Sequence, residues 1–310
     1  MSDSLVSVIL PVYNGEKTIK ATVESILKQT YQNFELLACI DGTKDGSEDI
    51  LNSFGDSRIR VIRNPRNLGL PRTLNKLVVN TAKNTRYIAM AEQDDWYYPE
   101  RLQAQVEFLD ANDDYGLVSG IAEHWGGSKE SSHLFPGILE KGGQYPVDYK
   151  ESFLFNFKYL NKFVQTCMMF RKDHYFDHGM YFSAHYPSVP TDWDFVLRWC
   201  RFTPIYGLHK VLVRKDRRDD RDSVTKNLNR LYSSGFELIR SYKYECAHII
   251  TAADYKFAWL GLRIQQIAHY HFFKRMLWLA WYFFSTQAHE LVRKRFNLEF
   301  KRVGWKFGLI

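Results

Sequence analysis

The sequence predicts an α/β fold with a mostly parallel central sheet of the nucleotide-binding kind, followed by a helical C-terminal extension. Three observations lead there. Short apolar runs alternate with helical stripes through residues 5–90, the pattern of right-handed βαβ units. The polar loops after the first, second and fourth runs share one sheet edge in such a fold, the edge where open α/β sheets bind ligands. Beyond residue 225 the pattern becomes helical and basic. Residues 226–310 carry 14 Lys/Arg against 5 Asp/Glu, a charge of +9, and the net +7 of the whole chain leaves −2 for residues 1–225.

Taken in order, Leu5 to Pro11 is a buried strand that Pro11 ends, and Val12-Tyr13-Asn14-Gly15 is the loop beyond it. Lys17 to Gln29 is a helix by its stripe of Ile19, Val23, Ile26 and Leu27. Phe34 to Ile40 is a strand that runs into the turn formers of residues 41–47, and Glu48 to Phe54 is a helix. Ile59 to Ile62 is the third strand, residues 64–69 a loop, and Leu70 to Asn80 a helix. Tyr87 to Met90 is the fourth strand and leads into Glu92-Gln93-Asp94-Asp95, with Pro99 suited to the first turn of the following helix, Leu102 to Leu109. Strands over Tyr115–Ile121, Phe163–Phe170 and Ile205–Val213 are expected, with a Gly- and Ser-rich loop over 124–150 and a helix opening at Thr191-Asp192. Residues 214–222 are a dense mixed-charge run.

Two properties decide between chemistries. No Gly-x-Gly-x-x-Gly and no Gly-x-x-x-x-Gly-Lys-Ser/Thr is present, so neither a dinucleotide fold nor a P-loop is supported. Carboxylates crowded at a strand end repel one another unless a hard cation sits among them, and oxygen-rich sites favour Mg²⁺ or Mn²⁺. Alone, the acid stretch reads better as a solvated turn before a helix, and Asp192 as a helix N-cap.

The ordered set of motifs resolves these alternatives. Val8-Ile9-Leu10-Pro11-Val12-Tyr13-Asn14-Gly15-Glu16, Ser25 to Glu35, Asp41-Gly42-Thr43-Lys44-Asp45-Gly46-Ser47, Asn67-Leu68-Gly69-Leu70-Pro71, Glu92-Gln93-Asp94-Asp95 with Pro99-Glu100-Arg101-Leu102, and Asp192-Trp193-Asp194 follow one another at a characteristic spacing. Over residues 5–225 the chain resembles inverting glycosyltransferases of family 2, which have the GT-A fold. The resemblance implies a catalytic domain over 1–225 that moves a sugar from a nucleoside diphosphate donor, a UDP-sugar or a dTDP-sugar, to a hydroxyl of a glycan or lipid-linked glycan. Pro11, Val12 and Tyr13 would line the base pocket and Asp41 would accept from the pyrimidine ring. Arg72 and Asn75 would abut the nucleotide. The family's Asp-x-Asp falls on Glu92-Gln93-Asp94, so Asp94 would bind Mn²⁺ or Mg²⁺ on the diphosphate, and Glu92 departs from the usual Asp. Asp95 would orient the loop. Asp192 maps to the catalytic base, preceded by Thr191 where the family often has Glu. The family's Arg-x-His is replaced by Arg214-Lys215-Asp216, so Asp216 would be a metal ligand in place of the His, with Arg217 and Arg218 as diphosphate contacts.

The extension, 226–310, has no chemical motif. Met276 to Phe284 is apolar all round, with Lys274 and Arg275 before it and Arg293-Lys294-Arg295 after it. Apolar and aromatic residues flanked by cations suit an anionic membrane surface; a packed helical subdomain and a homo-oligomer interface are the alternatives, and nucleic acid is not an expected partner. Met1-Ser2-Asp3-Ser4 lacks signal-peptide character, no apolar run reaches the ~20 residues of a bilayer span, and Cys39, Cys167, Cys200 and Cys246 show no metal or disulfide spacing. The expected location is cytoplasmic, peripheral at the inner face of the cell membrane. The rival readings are a catalytically weak sugar-nucleotide-binding scaffold, motivated by Glu92 and Thr191, and a nucleotidyltransferase.

Overall fold

The computed structural model describes residues 4–125, 133–185, 191–216, 227–268 and 277–278. The first half alternates as expected: β1 (Leu5–Val12), α1 (Ile19–Leu27), β2 (Phe34–Asp41), α2 (Ser47–Ser53), β3 (Ile59–Asn64), α3 (Leu70–Val79) and β4 (Thr85–Met90). Then come β5 (Asp95–Tyr97), α4 (Arg101–Ala111), β6 (Leu117–Trp125), β7 (His133–Phe135), α5 (Gly137–Glu140), α6 (Tyr149–Lys158), β8 (Met169–Arg171), α7 (Lys172–Asp177), α8 (Thr191–Trp199) and β9 (Ile205–Asp216), and after them α9 (Leu228–Glu245) and α10 (Ala252–Ala268).

The strands form one sheet in the order β3-β2-β1-β4-β8-β6-β9-β5, with β7 on β6. β1 pairs parallel with β2 and β4, β2 with β3, and β6 with β9. The short β8 is antiparallel to both β4 and β6. Two reversals across β8 leave β6 and β9 pointing the same way as β4. The C-terminal ends of β1, β2, β4, β6 and β9 therefore share one edge, and antiparallel β5 brings its first residue, Asp95, to that edge opposite Lys215. The core is built on the inward faces of β1, β2, β4 and β6, from Val8, Leu10, Leu36, Ala38, Tyr87, Ala89 and Val118, with Ile19, Val23 and Ile26 of α1 packed among them.

Four expectations need correction. β1 does not end at Pro11 but runs to Val12. Pairing with β4 stops at Ile9, so the missing proline N–H leaves no gap on that side. The strand expected over Phe163–Phe170 is a 3-10 turn at Gln165–Cys167 followed by β8. The Gln105 side chain claims one carbonyl, donating from Nε2 to Cys167 O at 2.6 Å, and the next one, Met168 O, accepts from Met90 N of β4 at 2.9 Å, where the run joins the sheet. The loop expected over 124–150 contains the end of β6, all of β7 and α5, and the start of α6. β5 was expected as loop; only its pairing with β9 makes those three residues a strand.

The chain divides into two compact units. The first holds Met1–Phe155, Asn161–His185 and Thr191–Ser223, and the second holds Asn156–Leu160, Tyr186–Pro190 and Val224–Ile310. In the second unit, Asn227 caps α9 by accepting from Arg230 N at 3.1 Å. Thr251 and Asp254 form a reciprocal box at the start of α10: Thr251 N donates to Asp254 Oδ2 and Asp254 N to Thr251 Oγ1, at 3.1 and 3.2 Å. Gly235 lets α9 and α10 approach closely, since a Cβ there would sit 2.9 Å from Leu262 Cδ2. No helix among the described residues is long and apolar enough to cross a membrane. Of the apolar stretch Met276–Phe284, only residues 277–278 are described, and they are helical.

Candidate active site

The acid stretch is held from beneath by side chains of β5 and α4. Arg101 is buried, and its guanidinium donates to Met90 O, the last carbonyl of β4, at 2.7 Å. It lies over the Tyr97 ring, 4.6 Å from the centroid, and its Nε donates to Gln105 Oε1 at 3.2 Å. The Tyr97 hydroxyl accepts from Glu92 N at 2.7 Å and is hydrogen-bonded to the Thr166 hydroxyl at 2.6 Å. From α1, the Thr22 hydroxyl lies 2.9 Å from Gln93 O and 2.8 Å from Asp95 O. Backbone groups of an irregular, partly buried turn need such partners. Pro99-Glu100-Arg101-Leu102 is thus a support for the acids: Arg101 ties the end of β4 and, through Tyr97, the loop after it.

On this support Glu92, Asp94 and Asp95 each offer a carboxylate oxygen, all within 4.8 Å of one another. Lys215 of β9 reaches among them. Its Nζ donates to Glu92 Oε2 at 2.8 Å and to Asp95 Oδ2 at 2.9 Å. The other Asp95 oxygen is buried with no hydrogen-bond partner among the described residues. Burial pushes the Asp95 carboxyl above its ordinary range; Lys215 pulls it back, and Glu92 and Asp94 push it further up. Burial works against the Lys215 ammonium, but Asp95 and Glu92 outweigh it and raise its pKa. The donor set fits a hard divalent cation: all oxygen, three carboxylates, and one buried oxygen without a partner. Glu92, Asp94 and Asp95 would hold it. Asp216, expected as a ligand, is the last residue of β9, paired with Trp125 on β6; Arg217 and Arg218 lie outside the described residues.

The loops after β1 and β2 close the same edge. Gln93 turns its amide onto the Tyr13 backbone, accepting from Tyr13 N and donating to Tyr13 O, both at 2.8 Å. A Cβ on Gly15 would meet Gln93 Oε1 at 2.8 Å, so glycine permits this approach. The Tyr13 ring is 45% exposed, whereas the Val12 side chain is fully buried in the core. Val12, backbone included, has no accessible surface, so the expectation that it lines the base pocket is not met; Pro11 is half-buried. Asp41 is buried and accepts from Asn64 Nδ2 and Leu68 N, both at 2.8 Å, and from Gly69 N at 3.1 Å. Three of about four acceptor positions on a carboxylate are spent shaping the 64–69 loop, which leaves one at Oδ2. Asp45 accepts from Thr43, Ser47 and Glu16 N. Burial raises its pKa, but the bonds from Ser47 and Thr43 and the backbone donors overcome this and bring it to about 2. Arg72 is exposed on α3. Asn75 serves the fold: its amide accepts from Phe182 N at 2.7 Å and Tyr175 OH at 3.1 Å and donates to Phe182 O at 2.8 Å. Of its donor and acceptor capacity, one N–H is left for any ligand.

Asp192 lies in the first turn of α8 and is half-buried. Its Oδ2 accepts from Asn161 Nδ2 and its Oδ1 from Trp193 N, both at 2.8 Å. Burial raises its pKa, the Trp193 N–H opposes this, and the charges of Glu92 and Lys215 push up and down respectively. That mutual influence ties Asp192 to the acid cluster. Asp194 is buried and paired with Arg198 at 2.5 Å. Sequence reasoning missed Lys215, Tyr97, Arg101, Thr22 and Asn161. For Lys215 a signal existed: Val213 and Lys215 alternate inward around an outward Arg214, so the period of the strand continues through the charged run.

Comparisons with known proteins bear on the family and the fold. The family model described as "Glycosyl transferase family 2" matches residues 7–178. An uncharacterized glycosyltransferase of Rickettsia typhi is 28% identical over 233 residues, 73% of this chain and 68% of that protein. The putative glycosyltransferase EpsE of Bacillus subtilis is 34% identical over 44% of this chain and 50% of its own length. The Escherichia coli UDP-Glc:alpha-D-GlcNAc-diphosphoundecaprenol beta-1,3-glucosyltransferase WfgD is 38% identical over 35% of this chain and 42% of its own length. Among solved structures, S. aureus TarS 1-349 in complex with UDP-GlcNAc aligns with TM-score 0.62 and 15% identity, covering 98% of this chain and 92% of that one. The mannosyltransferase PcManGT from Pyrobaculum calidifontis, in complex with GDP-Man and Mn²⁺, aligns with TM-score 0.54 and 13% identity over 95% of this chain and 83% of that one. At these identities the structural likenesses speak for the fold, which is the GT-A arrangement of a mostly parallel sheet with C-terminal helices following.

Proposed function

Because the chain belongs to glycosyl transferase family 2, we propose that it is a metal-dependent inverting glycosyltransferase. It moves a sugar from a nucleoside diphosphate donor, a UDP-sugar first and a dTDP-sugar second, to a hydroxyl of a glycan or lipid-linked glycan. The observation that carries this reading is the cluster of Glu92, Asp94 and Asp95 carboxylates, all within 4.8 Å of one another, at the end of β4. The names of relatives support the substrate classes: WfgD acts with UDP-Glc on a GlcNAc-diphosphoundecaprenol acceptor.

Each residue then has a task. Tyr13 and Pro11 flank the base, and the remaining acceptor position of Asp41 meets a pyrimidine N–H. Glu92, Asp94 and Asp95 present oxygens toward the diphosphate side. A divalent ion held there would neutralise charge that develops on the departing diphosphate. Asp192 takes the proton of the acceptor hydroxyl as that oxygen attacks C1 of the sugar from the face opposite the diphosphate. One displacement of this kind inverts the anomeric centre. Asn161 holds the Asp192 carboxylate in one orientation, and a raised pKa makes it a better proton acceptor than an ordinary surface aspartate. Residues 1–225 form the catalytic domain in this reading. Residues 226–310 bring it to the inner face of the cell membrane, where lipid-linked acceptors lie.

The test is a panel of nucleotide sugars scored for thermal stabilisation and then for transfer to a GlcNAc-diphospholipid, with the product anomer read by NMR. A β-linked product from an α-configured donor supports the reading; retention of configuration overturns the single displacement. UDP binding without hydrolysis or transfer of any sugar would favour the scaffold alternative.

A further inference from the structure

The proposed site contains a charge that the family resemblance does not supply. Lys215 stands inside the acid cluster, 2.8 Å from Glu92 and 2.9 Å from Asp95, and is itself 8% exposed. Three carboxylates and one ammonium leave a formal charge of −2, which one divalent ion neutralises without any help from a phosphate. Yet Lys215 already occupies an oxygen of two of the three candidate ligands. An ion entering the nucleotide-free site competes with this ammonium and meets its repulsion at short range. An ion that arrives with a diphosphate brings oxygen ligands of its own and two or more negative charges, which the same ammonium attracts.

We propose that Lys215 is a positioning residue that makes metal binding conditional on the donor: by bridging Glu92 and Asp95 it weakens the site for a bare divalent ion and favours the ion in company with a nucleoside diphosphate. The proposal rests on the metal–diphosphate reading above. It assigns to the chain's own residues an order of events, diphosphate with or before metal. In the free protein Lys215 stands as the counter-charge that allows Asp95 to be buried.

The experiment measures Mn²⁺ binding directly, by the loss of the free-ion EPR signal, with and without UDP. The wild-type protein is expected to bind Mn²⁺ weakly alone and at least about tenfold more tightly with UDP. Lys215→Met keeps the apolar stem and removes the charge. Its Mn²⁺ affinity without UDP should rise by about tenfold or more, the direction Coulomb's law dictates for a cation removed from within hydrogen-bond distance of the ligands, and the advantage given by UDP should shrink. Because Lys215→Met leaves Asp95 without its counter-charge, the comparison is repeated in an Asp95→Asn background: Lys215→Met/Asp95→Asn should bind Mn²⁺ more tightly than Asp95→Asn alone. A purely structural lysine would weaken binding or leave it unchanged on removal, so equal or weaker nucleotide-free affinity in both backgrounds overturns the proposal. Asp94→Ala separates the two levels. If it binds Mn²⁺ and UDP together as well as wild type, the metal–diphosphate reading itself fails; if it loses that binding while Lys215→Met changes nothing, only the role of Lys215 fails.

Discussion

Tyr97→Phe tests whether the acid stretch is held by its support. The substitution removes one oxygen and leaves the ring on which Arg101 lies, so no cavity forms. Three contacts go: Glu92 N at 2.7 Å, Glu92 O at 3.3 Å and Thr166 Oγ1 at 2.6 Å. Thr166 is fully buried, and it loses this partner without gaining water. A buried polar group left unsatisfied costs about 1–3 kcal/mol. Glu92 is only half-buried, so its N–H counts at the low end, about 1 kcal/mol, and with about 1–3 for the Thr166 hydroxyl the loss is about 2–4 kcal/mol. For a unit of this size about 1 kcal/mol corresponds to a Tm shift of about 2–4 °C, so a fall of about 4–16 °C is expected. Urea unfolding of both proteins, followed by tryptophan fluorescence, gives the energy. The loosened Glu92 backbone should also weaken Mn²⁺–UDP binding beyond what stability alone explains. A loss below about 0.5 kcal/mol, the range of an ordinary surface change, would refute the view that Tyr97 holds the loop.

Further outcomes follow from the same geometry. Asp94→Ala should abolish metal-dependent donor binding; titration with UDP and Mn²⁺ reads it, and unchanged affinity removes Asp94 from the metal site. Asp192→Asn should keep donor binding and lose about 10²–10⁴-fold in turnover, the usual contribution of a general base. The pH profile has a definite sign. Asp192 works as a base only when ionised, and its pKa is raised by burial, so kcat/KM falls as pH drops through a value above the ordinary ~3.9 of an aspartate. An acid limb that persists unchanged in the residual activity of Asp192→Asn would assign that titration to another group. Deleting residues 270–310 should release the protein from anionic vesicles in a flotation assay, and a truncated chain that still floats would move membrane contact elsewhere.

What could be read from the sequence was what periodicity and local chemistry determine. β1 to β4 and the helices between them are set by apolar spacing, and each lies within about two residues of its expected place. The acids and Asp192 are singled out by the ordered set of motifs that carries the family resemblance; alone they read as a solvated turn and a helix N-cap. What escaped was long-range pairing. β5 is three residues long and exists because β9 lies beside it. Phe163–Phe170 is an apolar run, yet Gln105, about 60 residues upstream in the chain, takes the Cys167 carbonyl, and only from Met168 O, which accepts from Met90 N, does the run join the sheet. Asn75 matched a nucleotide contact by position, but its amide completes the backbone at Phe182, more than 100 residues away.

One departure from the family pattern meets a residue that the pattern leaves open. Glu92 stands where the resemblance leads one to expect Asp, and Lys215 stands at the unspecified middle position of Arg-x-His. Taken alone, Glu92 looks like a weakened site. In space they are in contact: the extra methylene of Glu92 carries its Oε2 to 2.8 Å from Lys215 Nζ, while Asp95 reaches the same ammonium from β5. The ammonium is bridged between Glu92 and Asp95, so a shorter carboxylate at 92 would draw away from one side of that bridge. Exchanging Glu92 for Asp alone should loosen the Lys215 bridge rather than restore a better metal site, and the same Mn²⁺ titration that tests Lys215 reads that outcome.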